Sequence, residues 1–445
     1  MKINVILKEN IRDNFTITEE NTYYLDSVFT NPQLSKIQKK IVRHNIFDYI
    51  ERHKINPKNT LAGDFANIAL AVYSIDQITN REQHGLHRWS RYFNLYIPVY
   101  NTKQWNLVKK DIEDTLSFLS GDKWILNFRA TNEKFPELQS TAFKPKRVCL
   151  FSGGMDSFIG VNDLIDKYDQ IATISHHKGG NSGELSLQKK LIKILNEKYK
   201  PKNIHPFYFY VQGVKNENLR GEKTQRARSI IFLALGLLIA NTAGEGINIV
   251  IPENGLISLN LPLTPSRGGS HSTKTTHPKY INGLNDIFQK IGIGNRIENP
   301  YRFLTKGEML TKSKNTEFVK GHIEKTLSCS KPGHHKRYTK SKNGSNKNIS
   351  LQCGYCVPCI IRRASLYKND LDNYKHYVSD VNSAHTDYRA FELAILRFKT
   401  KQKIMLEFLK AGNMDLTGTE IKNFINMYNR GIKEVKNFIN RTKDQ

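Results

Sequence analysis

Between Lys146 and Asn254 the apolar positions change period in a regular rhythm. "RVCLF" (147–151) is a short apolar run and reads as a buried strand. "MDSFIGVNDLIDKY" (155–168) follows, with Met155, Phe158, Ile159, Leu164 and Ile165 at helical spacing. The alternation repeats as a strand in "QIATISHH" (170–177) and a helix in "ELSLQKKLIKILNEKY" (184–199). It repeats again as a strand in "IHPFYFYV" (204–211), a long helix in "TQRARSIIFLALGLLIANTA" (224–243) and a fourth strand in "INIVIPEN" (247–254). Strands alternating with helices of this length predict an α/β domain: a parallel sheet with helices on both faces. Such sheets bind ligands outside the C-terminal ends of their strands. Three polar or Gly-rich segments fall at those ends: Ser152–Ser157, His176–Gly180 and Pro252–Gly255.

The α/β rhythm covers 146–316, and the pattern differs on either side. Within 1–142, "DFANIALAVYSIDQI" reads as a helix, "YFNLYIPVY" as a strand, and "WNLVKKDIEDTLSFLSGDKWILNF" as a helix, an "SGD" turn and a strand. This predicts an N-terminal α+β domain with Trp89, Trp105 and Trp124 in its packing, joined on by the linker "TAFKPKR". Residues 317–370 carry most of the cysteines. They also contain "SKPGHHKRYTKSKNGSNKNIS", which has no acid and reads as a basic, flexible inserted loop. From 371 to 445 the spacing is helical again, which predicts a C-terminal helical extension.

Composition narrows the partners. The 445 residues hold 68 Lys and Arg against 41 Asp and Glu, a formal charge of +27. That balance favours an anionic partner such as a nucleotide, a nucleic acid or an acidic protein; its plainer reading is a lysine-rich, solvated surface. No apolar stretch is long enough for a bilayer, and "MKINVILKENIRDNFTI" has no secretory core, so the expected location is the cytoplasm, away from membranes. Four of the five cysteines are Cys329, Cys353, Cys356 and Cys359; in a cytoplasmic protein such clustering argues for a metal rather than disulfides.

The candidate chemistry starts at "SGGMDS" (152–157). Strand, glycine turn and helix N-terminus together form an anion site, because main-chain N–H groups and the helix dipole converge there. The loop lacks the Lys-Ser/Thr of a Walker sequence. Ser152 and Ser157 can donate to phosphate oxygens, Gly153, Gly154 and Met155 supply main chain, and Asp156 can hold Mg²⁺. Arg226 and Arg228 open an apolar helix where cations are disfavoured, so they suggest an anionic ligand; a surface turn is the plainer reading. His176, His177, Glu253 and Asn254 stand at strand ends, where ligand contact competes with simple core or surface roles. "TLSC" (326–329) and "CGYCVPC" (353–359) supply four thiolates, a set suited to a closed tetrahedral zinc site or, as the runner-up, an iron–sulfur cluster. Cys149 lies in the strand before the loop and reads as a small buried hydrophobe.

SGGMDS resembles the PP-loop, SGGxDS, of the ATP pyrophosphatases. With "TLSC…CGYCVPCIIRRASL" downstream, the chain resembles the QueC-like family of 7-cyano-7-deazaguanine synthases over about residues 146–370. Ser152, Gly153, Gly154, Asp156 and Ser157 match its loop, and Arg228 the Arg that opens the helix after the third strand. Lys306 and Glu308 match its Lys-x-Glu segment, the four cysteines its zinc ligands, and Arg362 the Arg after them. The resemblance implies an adenine nucleotide alpha hydrolase-like fold and the cofactors ATP, Mg²⁺ and Zn²⁺. It also implies a ligase that adenylates a 7-deazapurine-like carboxylate, with Asp156, Ser157, Arg228 and Lys306 catalytic; the strand-end positions of His176 and Glu253 separately make them candidates for contact with the nucleotide. The added termini, the insert between Cys329 and Cys353 and the Ser/Thr/Gly-rich segment after Gly255 depart from the family. Enlarged relatives of this layout look like the QatC-like components of anti-phage systems, which implies partner proteins. Two other readings stand beside this one: an enzyme modifying tRNA or other nucleic acid, and a nucleotide-binding scaffold without catalysis.

Overall fold

The computed structural model describes the chain apart from residues 1, 11, 29–41, 58, 132–143, 179–182, 214–220, 223, 225, 265–273, 331–335, 341–345, 351, 367–373, 375–385, 411–414 and 444–445. The expected linker positions 141–143, Gly179, Gly180, His334, His335 and most of the Ser/Thr/Gly-rich segment therefore lie outside the described residues. In chain order the strands of the two large sheets are β1 (Lys2–Lys8), β2 (Thr22–Asp26), β3 (Val42–His44), β4 (Tyr92–Val99) and β5 (Lys123–Ala130). They continue with β6 (Val148–Leu150), β7 (Gln170–His177), β8 (Asn203–Gly213), β9 (Ile249–Val250) and β10 (Ile297–Glu298). The order in the central sheet is β10-β9-β6-β7-β8-β3. Its first five strands are mutually parallel, and β3 pairs antiparallel with β8. The protein is therefore α/β, with a parallel sheet flanked by helices, as the alternating periods predict.

The N-terminal region corrects the α+β expectation. Its sheet, β2-β1-β4-β5, is parallel throughout. β1, "KINVILK", is buried from Ile3 onward and so shows no alternation of faces, the usual appearance of a strand covered on both sides. β3 has three residues and gains its place by pairing with β8. The basic insert also differs from the expected loop: Lys336–Lys340 and Asn346–Ser350 pair as an antiparallel hairpin.

The helix Thr60–Ile78 packs on strands of both sheets and on the helix Arg228–Ala243, which packs in turn on the central sheet. Both are apolar nearly all round, because each faces protein on every side. One core therefore runs from Ile3, Val5 and Leu95 through Leu70 and Leu235 to Ile174 and Phe209. The C-terminal helices Thr386–Arg397, Lys401–Lys410 and Gly418–Lys443 form a second core with the helix Val357–Leu366 and residues Leu256–Leu263. Among the described residues no helix is long and apolar enough to cross a membrane.

The join between the N-terminal region and the central sheet contains a buried charge cluster. Arg91 donates to both oxygens of Asp122, at 3.1 and 2.7 Å, and to Asp76 at 2.5 Å. Arg81 donates to Asp122 at 2.5 Å and lies 3.4 Å from Glu222. Burial opposes charge on Asp122, but the two guanidinium groups outweigh it and hold its carboxyl below the ordinary range. Removing one partner of such a cluster strands the others in low dielectric. Arg91→Ala should therefore cost about 3–5 kcal/mol of stability. Urea denaturation checks this, and an unchanged midpoint would show that the cluster contributes little.

Candidate active site and metal centre

The chain steps from β6 to β7 and β8 on one side, then crosses back to β9 on the other side of β6. This reversal opens a crevice at the C-terminal ends of β6 and β9, the expected binding place in an open α/β sheet. The loop Ser152–Gly154 leaves β6, and Pro252 and Glu253 leave β9. Gly153 has φ 85°, a conformation that favours glycine, and so turns the chain sharply into the helix Met155–Lys167. Gly154 caps that helix without a side-chain bond, and the first helical N–H, of Met155, donates to Ser328 Oγ at 3.2 Å.

Ser152, Gly154, Met155, Asp156 and Ser157 line one cavity of about 240 Å³. Arg228, Glu253 and Lys306 line it too. Eight of the expected site residues thus converge, from positions far apart in the chain. Asp156 is the hub. One of its oxygens is salt-bridged to Lys306, and the other accepts from Asn254 Nδ2 at 2.7 Å and Asn254 N at 3.2 Å. Burial pushes the Asp156 carboxyl up, but Lys306 and hydrogen bonds from Glu253 and Asn254 outweigh it and keep the group ionised. Glu253 moves the other way: burial first, then the Asp156 charge, raise its carboxyl well above the usual range. The two carboxyls are thus pushed apart, Asp156 toward the ionised form and Glu253 toward the protonated one, as expected when two acids share a site beside one cation.

His176 does not line the cavity. It is fully buried; its Nε2 lies 3.1 Å from Val211 O, and its Nδ1 accepts from Arg228 Nε at 3.2 Å. A neutral ring with the proton on Nε2 satisfies both contacts. Burial, and then the Arg228 charge, push its pKa well below the ordinary value, which keeps the ring neutral. His176 thus anchors Arg228 rather than meeting a ligand. Arg226 turns away from the cavity: it donates to Ser120 O at 3.2 Å and stacks on Trp89. Cys149 is fully buried and outside the cysteine cluster; burial pushes its thiol up, as suits an inert packing group.

Cys329, Cys353, Cys356 and Cys359 place their Sγ atoms within 4.8 Å of one another, all buried. Two of the separations are 4.0 Å (Cys329–Cys356) and 3.8 Å (Cys353–Cys359). A tetrahedron of sulfurs around zinc at ~2.3 Å has edges of about 3.8 Å, so the cage fits one such ion. Cys353 N and Cys356 N donate to Cys329 and Cys353 Sγ, as they would to thiolates, and Gly354 turns the chain between them at φ 86°. The four cysteines could therefore hold zinc.

The cysteine centre also walls the cavity. Cys329, Ser328 and Leu327 are lining residues, and Leu327 N donates to Gly153 O at 3.0 Å. Arg362 ties this segment down, donating to Thr326 Oγ1 and Ile323 O at 2.7 Å each and to Ser328 Oγ at 3.3 Å. Sequence reasoning missed Ser328 and the lining residue Glu184. The signal for Ser328 was its place directly before the first cysteine. Glu184 begins a helix and carries no motif.

Compared with known proteins, the chain matches no family model, and no curated protein matches it.

Metal analysis should find one zinc per chain and no sulfide. Cys353→Ser should lose the metal and lower the melting temperature, because structural zinc contributes directly to folding. Iron with sulfide in freshly purified protein would refute the zinc assignment.

Proposed function

We propose that the chain is a QueC-like, ATP-dependent ligase. A substrate carboxylate attacks the α-phosphorus of ATP. The bond from that phosphorus to the bridging oxygen of the β-phosphate breaks, PPi leaves, and an acyl adenylate is formed. An amine then attacks the adenylate carbonyl, gives up a proton, and AMP departs. The carboxylate best suited to the resemblance is 7-carboxy-7-deazaguanine. The amine is ammonia or belongs to a partner protein, in keeping with the QatC-like layout and a role in anti-phage defence.

One observation carries this reading: Arg228 and Lys306 reach the cavity over a glycine loop that has no lysine of its own. The loop N–H groups with Ser152 and Ser157 would hold pyrophosphate, and the two cations would stabilise its developing charge. Asp156 keeps Lys306 aimed into the cavity. Asp156 and Glu253 supply hard oxygen donors of the type Mg²⁺ takes together with substrate phosphates. The metal, when bound, would neutralise charge on the leaving group. A nucleic-acid-modifying enzyme is the second reading, favoured by the +27 charge.

Turnover with ATP, Mg²⁺ and 7-carboxy-7-deazaguanine should yield AMP and PPi, as read by nucleotide chromatography. ADP as the main product would overturn the loop assignment. Arg228→Ala should lower the rate about 100-fold or more with little change in melting temperature. Asp156→Asn should abolish PPi release. Asn is the cleaner substitution: both it and Ala remove the charge that faces the Lys306 ammonium, but Asn keeps the volume and an amide oxygen that can still accept from it.

A further inference from the structure

The C-terminal helices have two apolar faces, and only one meets the core. On Thr386–Arg397, Phe391 and Ala394 are buried, while Leu393 and Leu396 are 53% and 58% exposed. At ~100° per residue those leucines lie about 200° and 140° around the helix from Phe391, on the opposite side. Lys401–Lys410 repeats the arrangement: Ile404 and Phe408 are buried, and Leu406 and Leu409 are 60% and 54% exposed. Four of the six large hydrophobic side chains that are strongly exposed among the described residues belong to these two helices. Scattered single leucines need no explanation, but a paired, periodic set on adjoining helices does.

The second helix borders a groove of about 580 Å³, whose other wall is the start of Gly418–Lys443. Met405, Leu406, Ile421 and Ile425 form its apolar lining. Its charged lining residues are Lys401 and Lys422, and no acid lines it. Glu407 and Glu420, which neighbour lining residues on the two helices, are already engaged: Glu407 pairs with Arg397 and Lys410, and Glu420 with Arg302. Lys403 adds exposed positive charge on the Lys401 helix.

We infer that this groove docks an amphipathic helix of a partner protein whose polar flanks are acidic. Apolar residues at i, i+3, i+4 and i+7 of that helix fill the trough between the two helices, and its carboxylates meet Lys401 and Lys422. Shape favours a helix over a membrane here, because a concave trough offers a flat lipid surface less contact than a cylinder. The inference does not depend on the nucleotide reading, since the groove shares no residue with the cavity at the loop.

The test uses the full chain and a labelled designed helix of about 18 residues, with leucine at those spacings and glutamate elsewhere. A second peptide replaces every glutamate by lysine. Fluorescence anisotropy should show saturable binding of the acidic peptide, with affinity at least about tenfold above that of the basic one. Leu406→Asp and Lys422→Glu should each weaken binding about tenfold or more while melting temperature holds, since both side chains are exposed. Equal binding of the two peptides, or binding indifferent to both substitutions, would overturn the inference. So would sedimentation with phosphatidylserine vesicles that Leu406→Asp abolishes, which would assign the face to lipid. A dimer that Leu406→Asp dissociates would assign it to a second copy and overturn the inference as well.

Discussion

The salt bridge between Asp156 and Lys306 is the constraint on which the site depends. Both groups are almost wholly buried, and each would be costly there without the other. Lys306 is also the first residue of its helix, where a cation is disfavoured by the helix dipole. The surroundings offset that position: Thr305 and Glu308 close a capping box. Glu308 is held by Arg430, and Thr305 by Glu434. Both partners belong to the long C-terminal helix. Residues beyond 370 are thus tied to the cavity through one helix turn, in addition to packing beside the cysteine centre.

Arg228 is held by the opposite end of the chain. Asp76 accepts from Ala227 N at 3.3 Å, one residue before Arg228, and is itself locked by Arg91. Tyr73, one turn earlier on the same helix, meets His176 edge-on with ring centroids 5.4 Å apart. His176 in turn accepts from Arg228. The N-terminal region therefore sets both the main chain and the side chain of this residue. A rigid support of this kind suits the role proposed for Arg228, because preorganised cations need no rearrangement during reaction.

What could be read in advance follows from what kind of signal each element carries. The strands β6 to β9 with their intervening helices were legible because local period and tertiary role agree: buried strands are apolar runs, and the helices between them show helical spacing. The cysteine cluster was legible because ligand spacing brings the thiols together, and the glycine turn because it lies directly between a strand and a helix. β3 was not, since a three-residue strand exists only through its partner. His176 was placed at the right strand end and given the wrong neighbour. Period says which face a residue takes, but the ring's contact with Arg228 depends on a helix 52 positions on. Arg226 and Arg228 looked alike in sequence and point to different places, which a single turn of backbone decides.

The cysteine centre and the glycine loop are parts of one device. Cys329 anchors the segment whose Ser328 and Leu327 hold the helix start and Gly153. Without metal, four buried thiols have no common charge to gather around, and the anchor at Cys329 loosens. Arg362 would still hold Thr326 and Ile323, but its reach to Ser328 is the weakest of its three bonds at 3.3 Å. Loss of the ion would therefore be felt first at Ser328, one residue from the ligand and one hydrogen bond from the first turn of the Met155 helix. Metal occupancy and the shape of the glycine loop would then be a single property. That accounts for a cysteine cage built against a cavity wall rather than on a remote surface.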